Sequence, residues 1–343
     1  MRKALSLLLI LMLSATAAFA TPTLDDFQTG VEKFSEGVAS SLPLNSVIGL
    51  NWSSAYIGQF PRFGVGASIG FSTVPYDAIQ PTLQQLDIES NLASNNVVGY
   101  IQDLGAPLPA WALEARIGGF VIPFDVGVKF GTIPPSTQLE LAGIEADFLL
   151  FGVDTRFRLI EEGIVLPAIS AGVGYNRLRA AIGIDGITGS NYTLSFTDPR
   201  NGSTPLSITM EDPSVEYFWQ ANTIDLHAQA SKSLLILTPY IGAGASIGFG
   251  RAGAALRSEV TTSGFSESEF DEINQAFEQG TDETLPKLGP QGIEVGADMP
   301  TGWAFRAFGG VSFNLLILKV DLTGMYDFLG GNFGVTLGTR IQF

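Results

Sequence analysis

The C-terminal stretch Phe333-Gly-Val-Thr-Leu-Gly-Thr-Arg-Ile-Gln-Phe343 decides the fold class of this sequence. Its residues alternate without a break between an apolar face and a polar or small face. The apolar face carries Phe333, Val335, Leu337, Thr339, Ile341 and Phe343, and the other face carries Gly334, Thr336, Gly338, Arg340 and Gln342. A period of two residues is that of a β-strand with two unlike faces. About ten residues is also the length that a tilted strand needs to cross a bilayer.

The same alternation recurs through the chain and predicts an all-β protein. With the last strand there are eleven candidate strands, at 46–57, 62–73, 112–121, 124–132, 145–159, 164–178, 220–231, 238–252, 302–313, 317–328 and 333–343. Bacterial single-chain barrels have an even number of strands, so either one strand is missing from this set or the first candidate is not a wall strand. We therefore expect a transmembrane antiparallel β-barrel of about 12 strands, with ten as the next choice.

Composition agrees with a membrane protein and excludes several other classes. Only 15% of the 343 residues are charged, against about a quarter in soluble domains, and the mean hydropathy is +0.27. The uncharged run 233–250 contains Pro239 and four glycines, so it is a poor helix. The absence of cysteine excludes disulfides and thiolate metal sites, and the net charge of −16 argues against nucleic acid as a partner. A soluble β-sandwich is disfavoured because the polar faces carry glycine and opposite charges.

The first twenty residues have the layout of a cleaved secretory signal peptide. Arg2 and Lys3 form a positive start, an apolar run follows, and Ala18-Phe19-Ala20 fits an A-x-A cleavage site. A lone membrane anchor is the alternative, disfavoured because the apolar core is short. The chain is therefore expected to be exported.

Turn residues divide the expected barrel into two unlike ends. Pro61, Pro123, Pro167 and Pro239 each precede or open an alternating strand, where no ladder donor is needed. Long connections lie between them, at roughly 74–110, 132–143, 179–217 and 253–300. Short turns at one end and long loops at the other are typical of outer-membrane barrels, whose short turns are periplasmic.

With its leader, strand pattern and final Thr339-Arg-Ile-Gln-Phe343, the chain resembles the bacterial outer-membrane β-barrel class over nearly all of its mature length. The resemblance implies outer-membrane lipid and the barrel-assembly machinery as partners, with Phe343 as the assembly signal. Size and the N-terminal segment are distantly similar to the long-chain fatty-acid channel family. The chain is shorter and lacks that family's Asn-Pro-Ala motif, so its substrate is not carried over.

Three parts are expected along the chain: the signal peptide at 1–20, an amphipathic helix within 21–44, and the barrel at 45–343. The helix is predicted because Leu24 and the four residues Phe27, Val31, Phe34 and Val38 recur at helical spacing. Its length, about 28 Å for 23–41, is near the thickness of the hydrocarbon core. Those four side chains could plug the lumen; the equal alternative is a helix against the periplasmic mouth.

Strand parity also predicts which charges face the lumen. The acidic set is Glu114, Asp125, Asp154, Asp225 and Asp321, and the basic set is Arg116, Lys129, Arg156, Arg158, Arg306, Lys319 and Arg340. Since buried charges need partners, a bracing ladder of salt bridges is the leading interpretation, and a solute-selecting constriction is the alternative. His227 is expected in the same polar row, as a weak candidate for metal binding, pH sensing or a pair with Ser231 or Thr223.

A repeated segment and the longest loop complete the pattern. Gly64-Val-Gly-Ala-Ser-Ile-Gly-Phe71 recurs as Gly242-Ala-Gly-Ala-Ser-Ile-Gly-Phe249, and the in-facing glycines are expected to leave room inside. Residues 253–300 carry a net charge of −8. In that loop a capping box at Ser266 and Glu269, followed by an apolar stripe, predicts a short helix that folds over the mouth. Six aromatic residues near strand ends are predicted to form an interface girdle, namely Trp52, Tyr56, Trp111, Trp219, Tyr240 and Tyr326.

The sequence predicts no enzyme, cofactor or metal site, since it has no thiol, a single histidine and no nucleophile elbow. We expect a channel for passive or facilitated uptake of small, hydrophobic or amphipathic solutes. The alternative is a nonconducting barrel that serves envelope integrity or adhesion through its acidic loops.

Overall fold

The computed structural model describes residues 24–76, 104–119, 121–133, 144–184, 191–279 and 285–343. Three α-helices and fourteen strands lie in this part of the chain. The helices are α1 Leu24–Ala39, α2 Leu42–Ser46 and α3 Phe270–Glu278, and the strands are β1 Phe63–Val74, β2 Ala106–Gly118, β3 Phe124–Ile133, β4 Ile144–Ile160, β5 Ala168–Ile184, β6 Tyr192–Thr197, β7 Pro205–Met210, β8 Ser214–Ser231, β9 Leu237–Arg257, β10 Val260–Ser263, β11 Leu285–Gly289, β12 Gly292–Leu315, β13 Leu318–Asp327 and β14 Phe333–Gln342. The predicted signal peptide lies outside the described residues.

Ten of these strands close into an antiparallel barrel, which confirms the predicted fold class. The ring runs β1-β2-β3-β4-β5-β8-β9-β12-β13-β14 and returns to β1. The closing pair aligns Gly64 with Gln342 and Ser72 with Gly334. β11 pairs with the outer part of β12. The expectation of about twelve wall strands is wrong, and ten, the second choice, is correct, because the segment 46–57 lies inside the barrel.

The outside of the wall is apolar, as a lipid-facing surface must be. Along β9, for example, Ile241, Ile247 and Phe249 are exposed, with 74% of Phe249 accessible. Their neighbours along the strand, such as Ser246, point inward and are buried. The chain is an outer-membrane β-barrel.

The aromatic girdle was predicted in part at the wrong positions. Tyr326 is exposed on the wall, but Trp52, Trp219 and Tyr240 are buried. These three rings face the interior because they lie on the inner face of a strand or, for Trp52, within the lumen. Trp303, stacked on Phe305 at 5.9 Å, is an exposed aromatic that the sequence did not single out.

The two ends of the barrel differ as the turns predicted. At one end the strands are joined by short turns such as 232–236 and 316–317, and the chain ends there, with the Phe343 amide bonded to the Phe63 carbonyl at 2.9 Å. At the other end β8, β9 and β12 extend beyond the rest of the wall. In this class the short turns are periplasmic, so the extended end is the outer one.

Residues 42–57 run through the inside of the barrel from the outer end to the periplasmic end. Near the outer end, Asn45 donates to the Leu108 carbonyl at 2.8 Å. Near the periplasmic end, the Ile57 amide donates to Asp125 Oδ2 at 3.1 Å. Between them the segment is almost entirely buried. We call 42–57 the lumen segment.

Helix α1 precedes the lumen segment and packs against the inner faces of β9 and β12 at the outer end. Ser35 donates to the Ala252 carbonyl at 2.8 Å, and Val31 and Val38 are buried. The Phe34 ring packs at a tilt against the Tyr217 ring, with the ring centroids 5.0 Å apart. The side chain of Phe27 lies outside the described residues. The predicted helix therefore lies at the outer mouth, and it is the segment after it that enters the lumen. No helix in the described ranges is long and apolar enough to cross a membrane.

A small outer cap covers this mouth. It consists of residues 191–213 and 258–279, in which β6, β7 and β10 form a three-stranded sheet and α3 packs against it. The predicted capping box of Ser266 and Glu269 is confirmed, and Phe270 and Ile273 of α3 are buried. The apolar stripe of α3 lies among Leu194, Ile208 and other buried side chains of the cap, and the same core includes Leu256 and Ile293 of the barrel strands, so the cap is packed on the barrel.

The direction of the lumen segment predicts that α1 is reached from outside the cell. The chain has no cysteine, so single thiols can be introduced at chosen sites. We expect E36C, on the exposed face of α1, to react with a membrane-impermeant maleimide on intact cells. The control L235C, in a fully exposed periplasmic turn, should react only after permeabilisation. Labelling of L235C but not of E36C on intact cells would contradict this orientation.

Candidate functional site in the barrel lumen

The structure places all twelve predicted charges on the inner side of the wall. Ten of them are buried, and Arg158 and Lys319 are partly exposed. Most of the buried ones meet a group of opposite charge, and several also contact the lumen segment. Three groups can be distinguished by their contacts, centred on Asp125, Asp225 and Trp52.

The first group is built around the fully buried Asp125 on β3. Arg116 donates to Asp125 Oδ1 at 2.5 Å and, through its other terminal nitrogen, to Asp154 at 2.6 Å. Arg156 donates to both carboxylate oxygens of Asp125, at 2.9 and 2.8 Å. Two guanidinium groups and two carboxylates from three neighbouring strands thus neutralise one another. Such a bidentate arrangement is rigid because the planar fork of arginine matches the carboxylate.

The second group lies on β8, β9 and β12. Arg306 and Asp225 form an ion pair, with Nη2 to Oδ2 at 2.9 Å, and Ser246 donates to Asp225 at 2.6 Å. His227 Nδ1 lies 3.0 Å from Asp225, and its Nε2 lies 3.7 Å from Asp154. The histidine therefore links the first group to the second.

A catalytic pair of His227 with a neighbouring hydroxyl is not formed. Ser231 accepts a hydrogen bond from the Ala55 amide at 2.9 Å, and Thr223 bonds Ser46 at 2.8 Å. Both hydroxyls are thus engaged by the lumen segment. The prediction that the chain is not an enzyme stays a prediction.

The third group holds Trp52, the largest side chain of the lumen segment. Its ring lies between two guanidinium groups, that of Arg340 at 4.8 Å and that of Arg116 at 5.6 Å from the ring centroid. Its indole nitrogen donates to Glu114. Arg340 also pairs with Asp321 and donates to Ser53 at 3.0 Å. Cation–π contacts are strengthened when the cation is removed from water, as it is here.

Wall side chains also hold the backbone of the lumen segment. Lys129 donates to the carbonyls of Ser46 and Ile48, each at 2.7 Å. Gln229 donates to those of Trp52 and Ser53, at 2.8 and 3.0 Å. These bonds satisfy carbonyl groups that have no strand partner. Sequence reasoning missed this role, since it treated 46–57 as a candidate strand.

The in-facing glycines accommodate this filling, so they do not leave the interior open. A Cβ at Gly64 would come within 2.8 Å of the Trp52 ring, and one at Gly244 within 2.8 Å of the Arg306 guanidinium. Two cavities between the lumen segment and the wall, both lined by described residues, measure about 10 and 30 Å³. A cavity of that size holds about one or two water molecules.

The outer cap carries a separate ionic cluster around Arg200. Arg200 donates to both oxygens of Asp198, each at 2.9 Å, and to Glu269 at 2.8 Å. The hydrogen bond from Arg200, with two more from Ser266, lowers the pKa of Glu269 to about 2, and the bond from Arg200 lowers the pKa of Asp198 as well. Because both carboxyl pKa values are lowered, this cluster stabilises the cap at neutral pH and loses its contribution only under strongly acidic conditions.

Comparison with known sequences identifies the family. The sequence model of the Lsa36-like family matches residues 14–343. The chain belongs to the Lsa36-like family. A comparison with curated proteins finds no match.

Solved structures similar to this Lsa36-like chain share little sequence with it. One is the outer membrane protease OmpT from Escherichia coli, 10% identical over 82% of this chain and 97% of that one, with a TM-score of 0.40. Another is the translocator domain of autotransporter NalP from Neisseria meningitidis, 9% identical over 83% and 90%, with a TM-score of 0.32. A third is the CymD monoaromatic hydrocarbon channel, 11% identical over 95% and 98%, with a TM-score of 0.27. Likenesses at these scores carry no argument about function.

Removal of Arg116 should be among the most destabilising changes in the barrel. R116A leaves Asp125 with one cation and Asp154 without its 2.6 Å partner, both away from water. Breaking a buried pair in this way costs about 3–5 kcal/mol. The free energy of unfolding in urea, followed by tryptophan fluorescence, measures the change.

R158A is the matched control, because Arg158 is partly exposed and pairs with the exposed Glu161 at 3.1 Å. An exposed pair contributes about 0.2–1 kcal/mol. Equal losses of stability in the two variants would contradict the network described for Asp125.

Proposed function

We propose that the protein is a closed outer-membrane barrel that acts at the cell surface through its acidic cap. The observation that carries this proposal is the filled lumen. The lumen segment runs through the barrel from one end to the other, and two cavities beside it, lined by described residues, measure about 10 and 30 Å³. Of the two functions considered from the sequence, this favours the nonconducting barrel over the open channel.

The charge of the cap supports a role in binding. In residues 191–213 and 258–279 there are nine carboxylates and one arginine, which gives a net charge of −8. Glu267, Asp271 and Glu278 are exposed on or beside α3. Because the apolar side chains of the cap pack on the barrel, these carboxylates are displayed on a defined surface. A partner with a basic surface fits this charge best.

Uptake of small solutes remains the second candidate, and one feature of the lumen segment favours it. Residues 42–57 form no β-ladder with the wall and are held mainly through side-chain hydrogen bonds, such as those from Lys129 and Gln229. Water could replace such bonds if the segment moved. A channel of this kind would open only when the lumen segment leaves its place.

Conductance in planar bilayers separates the two candidates. We expect the full chain to insert without conducting, because the lumen segment leaves no continuous path. A variant without residues 24–57 should open stable pores, since the polar inner wall would then line an empty barrel. Frequent openings of the full chain would contradict the closed barrel and support uptake.

The folding of the deletion variant is checked by its mobility on gels before and after heating. If the variant does not fold, W52A provides the comparison, because it empties the space between Arg116 and Arg340 while keeping the rest of the segment. Under the closed-barrel proposal W52A should conduct no more than brief, small currents. Stable large openings of W52A would show that the rest of the segment does not seal the lumen.

Binding of a lysine-rich peptide tests the cap. The triple variant E267Q/D271N/E278Q should bind the peptide roughly tenfold more weakly than the wild type, since each exposed ion pair contributes about 0.2–1 kcal/mol. Added salt should weaken wild-type binding. The control E161Q removes an exposed carboxylate at the periplasmic end and should bind as the wild type does. Unchanged binding by the triple variant would contradict a role for the acidic cap.

A further inference from the structure

A cavity of about 400 Å³ lies on the outside of the wall at the outer end, apart from the lumen and from the cap. Arg179, Arg251 and Arg257 line it together with Asp147, Glu216 and Glu294. Its volume is within the usual range for small-ligand sites. None of these six residues was singled out as a site by the sequence.

Strand parity shows that this cavity faces the membrane side of the wall. Arg179 follows Val173 and Tyr175 on the exposed face of β5. On β9, Arg251 follows Ile247 and the exposed Phe249 at the same parity. The charged cavity therefore begins where the apolar belt ends, at the height of lipid headgroups in the outer leaflet.

The register orders the charges along the tilted strands, from the apolar belt toward the outer end. Arg179 and Arg251 lie in one row, because both pair with Gln220 of β8. The next row outward contains Asp147 beside Ala181, and the row beyond it contains Glu216 beside Ala255, which also pairs with Glu294. A group that approaches from the apolar belt thus meets guanidinium groups before it meets carboxylates.

Along β9, Glu216 and Glu294 lie in a row between those of Arg251 and Arg257, and Asp147 lies just beyond the row of Arg179. Glu294 bridges Arg251 and Arg257, with both contacts at 3.1 Å, and Glu216 meets Arg257 at 3.2 Å. Arg179 is held only loosely, at 3.6 Å from Asp147, and 62% of its side chain is accessible. Arg251 also lies over the Phe218 ring at 5.6 Å. Positioned guanidinium groups of this kind are the preferred protein partners of phosphate.

We propose that this cavity binds the phosphate-bearing headgroup of an anionic outer-leaflet lipid. The phosphate lies between Arg179 and Arg251, and the acyl chains extend down the wall over Phe249 and Tyr175. The small residues Ala146, Ala181 and Gly183 form the recess that admits the headgroup. The proposal does not depend on the function of the lumen or of the cap.

Native mass spectrometry of the full chain in detergent tests the proposal, with phosphatidylglycerol as the probe. We expect one phosphatidylglycerol molecule to remain bound to the wild type at detergent conditions that remove diacylglycerol. R179A/R251A should retain it about tenfold more weakly, the loss expected for one charge-assisted hydrogen bond to phosphate. K287A removes an exposed cation elsewhere at the outer end and should bind as the wild type does.

Three outcomes would overturn the proposal. Equal retention of diacylglycerol would mean that the apolar belt alone binds the lipid. Competition by inorganic phosphate at equal concentration would mean that the site takes free phosphate and not a lipid. Equal binding by R179A/R251A and K287A, with both variants folded by gel mobility, would mean that the arginines of the cavity do not contact the headgroup.

Discussion

An ionised side chain removed from water is tolerated only where it meets opposite charge and hydrogen-bond partners. Leaving such a charge unpaired lowers the stability of the folded protein by about 3–5 kcal/mol. A barrel in a membrane makes this constraint strict. Its outer face must be apolar for lipid, so alternation sends the polar residues of every strand inward. In a ring of ten strands those residues lie close together, and Asp125 has no accessible surface. The paired arginines around it follow from this constraint.

The lumen segment supplies hydrogen-bond partners to the charges on the inner face of the wall. Wall charges alone leave donors such as Lys129 and Nη1 of Arg156 without acceptors, and the carbonyls of residues 46, 48 and 54 supply them. The segment in turn gains partners that its irregular backbone cannot find within itself. The lumen segment and the wall therefore stabilise each other. The closed state is a consequence of the hydrogen bonds that the buried charges need.

Alternation along single strands let the sequence predict the barrel and the inward face of residues such as Arg116 and Asp225. It did not predict which charges meet, because ion pairs such as Arg306 with Asp225 join strands that are 81 residues apart. The lumen segment was misassigned because its buried residues, Val47, Ile48 and Trp52 among them, mimic the apolar residues of a strand. The outer cap was predicted only where local signals exist, as in the capping box at Ser266. The pairing of β6 with β7 and β10 depends on contacts that a single sequence does not display.

The most direct test of the account is whether the lumen segment touches the wall where the structure places it. Ser46 and Thr223 lie on the segment and on β8, with their hydroxyl oxygens 2.8 Å apart. In the otherwise cysteine-free chain, the variant S46C/T223C should form an intramolecular disulfide almost completely in the assembled barrel, detected by mass spectrometry of the linked peptides. Two thiols that stay reduced and react freely with a small alkylating reagent in the folded protein would show that the lumen is not filled by this segment.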